Sequence, residues 1–174
     1  MSRVLIAYAS KMGSTKEIAD LIGATITTVG DEVTVLPAQD VMDLDYYDAV
    51  VLGSALYMAR WRPDAVQFLR RFRTGLSRKP VWLFHSGPLG EGADKPQKAP
   101  AAVRRLATAI GAEQPTTFAG RIEPETAKGF MAKKMAQGPL AGDFRDWEQI
   151  RQWATEVART LHIGKEGIHA PQQD

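Results

Sequence analysis

Short apolar runs alternate along the chain with longer segments in which apolar residues recur every three or four positions. A continuous apolar run is typical of a strand that is buried on both faces of a sheet, whereas the longer spacing forms one face of a helix. The predicted strands cover residues 4–9, 32–36, 49–52, 81–84 and 116–119. The predicted helices cover residues 15–24, 63–72, 101–110 and 146–161.

This alternation predicts an α/β domain in which a parallel sheet carries helices on both faces. Connections between parallel strands are right-handed, which leaves few topologies for five strands. Five strands favour a doubly wound sheet with the order 2-1-3-4-5 over the six-stranded dinucleotide-binding arrangement. Ligands of such sheets bind at the carboxyl ends of the strands, so we expect the chemistry in the loops after strands one, three and four.

Composition narrows the function classes. The chain has 174 residues, the size of one domain, and its 22 Lys and Arg against 20 Asp and Glu do not favour nucleic acid as a partner. The sequence contains no cysteine, which excludes disulfides, iron–sulfur clusters and thiol nucleophiles. With only three histidines, a His-rich metal site is not expected. No signal peptide or membrane-spanning run is visible in the sequence, so we expect a cytoplasmic protein, with weak contact to the inner face of the membrane left open.

The three loops at the predicted ligand-binding edge are rich in glycine, serine and other small residues. The first consists of Ser10, Lys11, Met12, Gly13, Ser14 and Thr15. The second contains Ser54, Ala55, Leu56 and Tyr57. The third contains Ser86, Gly87, Pro88, Leu89 and Gly90. These are the candidate binding residues, and no catalytic side chain or metal ligand is assigned.

The first loop has the features of a phosphate site. Hydroxyls at Ser10, Ser14 and Thr15 can hydrogen-bond to a phosphate, and successive N–H groups at the start of a helix attract an anion. Gly13 lets the backbone approach a ligand closely. The same residues predict an ordinary capping box, with Ser14 as the N-cap and Glu17 three residues later. The loop matches neither the P-loop nor the G-x-G-x-x-G dinucleotide fingerprint.

The run from Ser10 to Thr15, placed directly after the first strand, resembles the phosphate loop of the flavodoxins. This resemblance implies a flavodoxin-like fold with FMN as its cofactor. The FMN phosphate would bind to the first loop, and the flavin ring would lie between the second and third loops. Tyr57 would flank the ring, because an aromatic face stacks well on another π system.

Within that family, the chain is most similar to the menaquinone-dependent protoporphyrinogen dehydrogenases. The similarity rests on Phe118-Ala119-Gly120 after the fifth strand, on the basic segment Phe130-Met131-Ala132-Lys133-Lys134-Met135, and on Asp146-Trp147-Glu148-Gln149-Ile150 at the start of the last helix. It covers roughly residues 3–162. The implied organisation is an FMN-binding domain at residues 1–163, an inserted segment at about residues 124–142, and a flexible tail at residues 164–174.

Two functions follow as alternatives from the resemblance. The first is an FMN-dependent oxidoreductase that passes electrons from an organic donor, with protoporphyrinogen IX as a candidate, to a quinone. The second is a non-catalytic flavodoxin that carries electrons between redox proteins. A phosphoacceptor domain of the same fold is rejected, because Ser10-Lys11 and Gly53-Ser54 stand where it needs acidic residues.

Three further features have a structural and a functional interpretation. His85, at the end of the fourth strand, is expected to point toward the cofactor, where it is either a structural histidine or a proton shuttle. Five arginines around the predicted helix at residues 63–72 form either a solvated basic face or a dock for an acidic partner: Arg60, Arg62, Arg70, Arg71 and Arg73. The amphipathic residues 127–137 are a packed helix, a lid over the flavin or a foot on an anionic membrane. As a lid, the segment would cover an apolar ligand with Phe130, Met131 and Met135.

Overall fold

The fold is a parallel sheet covered by helices on both faces. The computed structural model describes residues 1–93 and 95–166, with side chains described up to Gly164. The strands of the sheet are β1 (Arg3–Ala9), β2 (Glu32–Pro37), β3 (Ala49–Tyr57), β4 (Arg60–Trp61), β5 (Val81–Ser86) and β6 (Thr116–Phe118). The order β2-β1-β3-β5-β6, parallel throughout, is the predicted five-strand order. The flavodoxin-like α/β fold class is therefore confirmed.

The helices form the two outer layers. They are α1 (Ser14–Thr27), α2 (Pro63–Arg71), α3 (Arg73–Leu76), α4 (Ala101–Ala109), α5 (Phe130–Met135) and α6 (Trp147–Glu166), with a 3-10 turn at Ala38–Asp40 after β2. One face of the sheet is covered by α1 and α6, and the other by α2 and α4. The last helix continues to Glu166, and the rest of the predicted tail, residues 167–174, lies outside the described residues.

The continuous apolar run of β1 is explained by its central position in the sheet. Val4 and Ile6 pack into the cluster under α1 and α6, whereas Leu5 and Ala7 pack into the cluster under α2 and α4. All four side chains are at most 1% exposed. Both faces of the strand are covered, so residues 4–9 show no polar alternation and form a continuous apolar run.

The third strand continues beyond the run that predicts it. Residues 54–57, expected in a loop, extend β3 and fold back on β4 in an antiparallel hairpin that pairs Tyr57 with Arg60. Met58 and Ala59 form the two-residue turn and have φ angles of 52° and 57°. Turns of this kind prefer Asn-Gly, because side chains disfavour positive φ. The hairpin turn beside the predicted flavin loop is therefore strained.

A small second sheet follows β6, and the apolar pattern does not predict it. Here β7 (Arg121–Ile122) pairs antiparallel with β8 (Gly142–Asp143), and α5 lies in the connection between them. Ile122, Ala127, Ala132 and Ala136 form a third hydrophobic cluster, separate from the two that flank the main sheet. The segment from residue 121 to residue 143, which we call the insertion, thus has its own small core.

Candidate functional site

A pocket of about 100 Å³ opens at the carboxyl ends of β1, β3 and β5, where the three predicted loops meet. Most of the predicted binding residues line it: Ser10, Lys11, Met12, Ser14, Thr15, Ala55, Leu56, Tyr57, Ser86, Gly87 and Leu89. The loops are therefore brought together as the strand order requires.

Four predicted binding residues do not line this pocket. Gly13 shapes the turn before α1, and the buried Ser54 hydroxyl accepts a hydrogen bond from the backbone N–H of Arg62 at 3.0 Å. The Pro88 carbonyl accepts a hydrogen bond from the backbone N–H of Gly120 at 2.8 Å. The backbone of Gly90 lies against Leu140 of the insertion. These four residues shape the loops around the pocket.

The first loop ends in a left-handed glycine. Gly13 has a φ of 89° and is itself the N-cap of α1, and its N–H donates to the Ser10 Oγ at 2.9 Å. The predicted capping box is wrong, because the left-handed turn at Gly13 starts the helix one residue early and makes Ser14 its first residue. The Ser14 Oγ is buried and has no hydrogen-bond partner among the described residues. This hydroxyl is available to a ligand in the pocket.

The first and third loops are joined by a hydroxyl pair. The Thr15 Oγ1 and the Ser86 Oγ lie 2.9 Å apart, and both residues are buried. One hydroxyl donates its hydrogen to the other, and the accepting hydroxyl keeps its own hydrogen for a further acceptor. The pair therefore presents one free donor at the start of α1.

The second loop contributes an aromatic wall. Tyr57 lines the pocket, and the Lys11 Nζ lies 3.6 Å from the centre of its ring, within cation–π distance. The Tyr57 hydroxyl is buried without a hydrogen-bond partner in the described part of the chain. A ring stacked on this face of Tyr57 would have to displace the Lys11 ammonium.

The third loop lies so close to its neighbours that glycine is needed. A Cβ on Gly87 would stand 2.0 Å from the Leu56 carbonyl oxygen, and one on Gly120 would stand 2.8 Å from the Gly87 Cα. The backbone of the third loop is therefore packed between the second loop and the segment after β6. A side chain larger than hydrogen at either position would clash with this backbone.

The pocket includes four residues that sequence reasoning missed: Met58, Gly120, Arg121 and Ile122. Three of them follow β6, the fifth strand of the predicted sheet. The rule that ligands bind at the carboxyl ends of parallel strands applies to that strand as well. Inspection of the loop after strand five would therefore have found Gly120, Arg121 and Ile122 from the sequence.

Two arginines clamp the insertion to the first turn of α1. The Arg145 side chain is 3% exposed and binds the carboxylates of Glu17 and Asp143. It also donates to the Ser14 carbonyl. Arg121 reaches Glu17 at 2.9 Å. Glu17 is thus shared between the two guanidinium groups.

The charges of this clamp shift the pKa values of both carboxylates. Burial by itself would raise the pKa of Glu17, but the hydrogen bond from Arg145 and the charges of Arg145 and Arg121 outweigh it and lower that pKa. The hydrogen bond from Arg145 lowers the pKa of Asp143 as well. Both groups are therefore ionised at neutral pH, and the clamp is a network of full charges.

His85 lies in the sheet and does not line the pocket. It is fully buried, its Nδ1 accepts a hydrogen bond from the Trp61 Nε1 at 3.1 Å, and its Nε2 pairs with the Thr117 Oγ1 at 2.8 Å. Burial lowers the pKa of His85 to about 4, against a smaller opposing effect of a hydrogen bond to the Gln97 backbone. The expectation that it points toward the cofactor is wrong, because Trp61 and Thr117 hold its ring, and the structural interpretation fits.

The structure distinguishes the interpretations of two charged surfaces. In the arginine cluster, Arg60, Arg70 and Arg73 are solvent-exposed, and Arg71 bonds the carbonyls of Val41 and Met42, which fits a solvated face. On α5, Phe130 is 82% and Met131 52% exposed, and only Met135 reaches the pocket. The expectation that all three would cover a ligand is therefore wrong for Phe130 and Met131, because Ala132 and Ala136 form the buried side of this short helix.

The pocket fits FMN in two respects. The buried Ser14 hydroxyl and the N–H groups of the first turn of α1 suit a phosphate, and Tyr57 suits a flavin ring. Its remaining wall, with Met12, Leu89 and Met135, is apolar. No helix in the described residues is long and apolar enough to cross a membrane.

Comparisons with known proteins agree with this geometry. The rubredoxin oxygen:oxidoreductase of Desulfovibrio gigas superposes on 98% of this chain, with a TM-score of 0.65 and 18% identity. This chain spans only 38% of that protein. A flavodoxin from the domain Archaea matches over 92% of this chain and 99% of its own length, with a TM-score of 0.62 and 16% identity. Flavodoxin 2 from Bacillus cereus matches over 91% of this chain and 99% of its own length, with a TM-score of 0.61 and 23% identity.

At these identities the solved structures establish a shared fold, and the family comes from the sequence itself. Residues 5–137 match the model of the family described as the flavodoxin domain. This match spans the three loops, the pocket and the first part of the insertion. The chain therefore belongs to the flavodoxin domain family, and FMN is its cofactor.

Proposed function

We propose that the chain is an FMN-dependent oxidoreductase that passes electrons from an organic donor to a quinone. The observation that carries this proposal is the apolar wall that the insertion adds to the pocket. Ile122 and Met135 from the insertion stand beside Met12 and Leu89 of the flavin loops. An apolar wall next to the cofactor suits a hydrophobic small molecule. Protoporphyrinogen IX is the first donor to test.

The proposed cofactor placement assigns a role to each loop. The Ser14 and Thr15 hydroxyls and the first-turn N–H groups bind the phosphate, and the loops at residues 54–57 and 86–90 hold the ring. Tyr57 orients the ring once Lys11 has moved aside, and Leu89 and Met135 exclude water from its edge. FMN, when bound, supplies the transfer of two electrons and two protons, and the protein supplies binding and orientation.

Weak contact with a membrane is part of the proposal, because quinones dissolve in lipid. Phe130 and Met131 project from α5, and Lys128, Lys133 and Lys134 are exposed beside them. Exposed apolar side chains flanked by lysines bind weakly to anionic lipid surfaces. The proposed location is therefore the cytoplasm, with weak contact to the inner face of the membrane.

Anaerobic redox assays test the proposal. The FMN-loaded protein is reduced with candidate donors, protoporphyrinogen IX among them, and its reoxidation by soluble quinones is followed at the flavin absorbance bands. Multiple turnovers with a donor and a quinone are expected. Reduction by a donor with no reoxidation by any quinone would overturn the proposal.

The second candidate is a non-catalytic electron carrier, which one observation favours. Phe130 and Met131 point into solvent and leave the mouth of the pocket open, and Met58 is 65% exposed at its rim. An open ring edge suits docking of a redox protein. A carrier would reduce a protein acceptor such as a ferric cytochrome faster than any quinone, so the ratio of the two rates separates the candidates.

A further inference from the structure

Arg121 is the one guanidinium group that lines the pocket among the described residues. It lies on β7, and its side chain is 13% exposed. Its Nη2 is 3.7 Å from the position that a Cβ on Gly13 would occupy. The guanidinium therefore lies against the turn at which α1 begins, where the phosphate is proposed to bind.

The hydrogen bonds of Arg121 leave part of the group free. Its Nη1 donates to the Glu17 Oε1 at 3.2 Å, and its Nε forms only a long ion pair with the Glu123 carboxylate at 3.8 Å, beyond hydrogen-bond distance. The Nε is buried and has no hydrogen-bond partner within residues 1–93 and 95–166. A buried unpaired guanidinium donor is costly, so it points to a ligand that satisfies it when bound.

A second unpaired group stands at the same turn. The Ser14 Oγ is buried without a partner among the described residues, and Ser14 lines the pocket together with Arg121. Arg145, which binds the same turn, differs because Glu17, Asp143 and the Ser14 carbonyl occupy its donors. Of the two arginines, Arg145 is structural and Arg121 keeps donors for an anion.

We propose that Arg121 binds the phosphate of FMN directly, in competition with Glu17. This inference rests on the proposed binding of the phosphate at residues 10–15. A guanidinium offers five donors in a fixed fork that matches phosphate oxygens, and the N-terminus of α1 adds to the attraction. Glu17 is ionised and holds the Arg121 Nη1, so it neutralises the guanidinium when the phosphate is absent and repels the phosphate when it arrives.

The proposal makes FMN binding depend strongly on the phosphate group. Riboflavin has the same ring and sugar chain without the phosphate, so Arg121 contributes to the affinity for FMN and little to that for riboflavin. A charge–charge contact also weakens as salt screens it. Loss of Arg121 therefore reduces both the preference for FMN over riboflavin and the salt dependence of FMN affinity.

Titrations of FMN and riboflavin into the flavin-free chain, followed by flavin fluorescence at several salt concentrations, test the proposal. The variants are Arg121→Gln, Glu17→Gln and, as a matched control, Arg70→Gln, which changes an exposed arginine on α2 away from the pocket. Thermal melting of each variant confirms that it is folded.

The expected results have opposite signs. Arg121→Gln lowers FMN affinity by about tenfold or more, the usual strength of a hydrogen bond to a charged group, and leaves riboflavin affinity unchanged. Glu17→Gln raises FMN affinity, and Arg70→Gln changes neither affinity. Equal losses for FMN and riboflavin in Arg121→Gln, an unchanged FMN affinity there, or a weaker FMN complex in Glu17→Gln would each overturn the inference.

A separate variant distinguishes failure of this inference from failure of the proposed phosphate site. Thr15→Ala removes a hydroxyl at residues 10–15 without touching Arg121. If Thr15→Ala weakens FMN binding and Arg121→Gln does not, the phosphate binds at residues 10–15 but does not contact Arg121. If neither variant changes FMN affinity, the proposed phosphate site itself is wrong.

Discussion

The main sheet and the insertion are held together by different forces. The sheet is flanked by two clusters of large apolar side chains, among them Ile6, Leu52 and Phe84. The core of the insertion consists mainly of alanines with Ile122, and a network of arginines and carboxylates ties it to α1. Burial of large apolar groups contributes most of the stability of a fold, whereas partly exposed ion pairs contribute little. The sheet therefore sets the stability, and the insertion is free to adapt the site to a ligand.

Truncating one isoleucine in each region tests most directly whether the sheet contributes more to stability than the insertion. Ile6→Ala in β1 should lower the free energy of unfolding by about 2–5 kcal/mol, because it leaves a cavity in the centre of the core. Ile122→Ala in the insertion should cost less, since its cluster is small. Urea unfolding of both variants measures the two values, and an equal or larger loss for Ile122→Ala would mean that the insertion is part of the main core.

A pH titration sharpens the comparison on the sheet side. The pKa of His85 is about 4 in the folded chain and near its ordinary value of 6.5 when unfolded, so the unfolded state takes up the proton first as pH falls. The free energy of unfolding should therefore fall between pH 6.5 and pH 4, by about 3 kcal/mol in total. In His85→Gln this slope should disappear above the pH range in which the carboxylates of Glu17 and Asp143 take up protons. Parallel pH profiles for the two proteins would contradict the assignment.

The charged network is tested on the insertion side. Arg145→Gln leaves Glu17, Asp143 and the Ser14 carbonyl without their partner. We expect this to lower the local stability of the insertion by about 1–2 kcal/mol and to leave that of the main sheet unchanged. Hydrogen exchange should become faster in residues 121–143 and stay unchanged in β1 and β3. Arg159→Gln, which removes an exposed ion pair with Glu156, is the control and should change neither region. Faster exchange throughout the sheet would show that the network supports the whole fold.

The smallest expected effect is in the first loop, residues 10–15, where the phosphate is proposed to bind. Thr15→Ala should weaken FMN binding by about 1–2 kcal/mol, the value of a hydrogen bond to a charged group. Thr25→Ala removes a hydroxyl of the same helix that bonds only within it, and FMN affinity should not change. The two dissociation constants decide the point, and equal values would place the phosphate elsewhere.

The sequence predicts the sheet well because its central strands β1, β3 and β5 are largely buried. The five predicted strands and the helical spacing between them lead to the observed strand order, and the small residues after β1, β3 and β5 lead to the pocket. These signals are local, and each covers enough residues for its period to be seen.

The two short strands of the insertion escape prediction for the opposite reason. β7 and β8 contain two residues each, so neither is long enough to show a period, whereas the six-residue α5 lies within the amphipathic segment at residues 127–137. Phe130 and Met131 are exposed because buried alanines pack α5 from its other side, which the pattern of large apolar residues does not reveal. Arg121 follows the fifth strand of the sheet, so the rule for parallel strands could place it near the pocket, but its pairing with Asp143 joins residues far apart in the sequence and is not predictable from a local pattern.

We propose that the insertion gives the flavin site its activity with quinones, and removing part of the insertion tests this directly. In a variant with residues 127–137 replaced by a short glycine–serine linker, FMN content and quinone turnover are measured beside the intact chain under anaerobic conditions. We expect FMN to stay bound, because the three loops and the sheet are untouched, while turnover with the quinone falls sharply. Equal rates for the two proteins would contradict this expectation and favour the electron carrier.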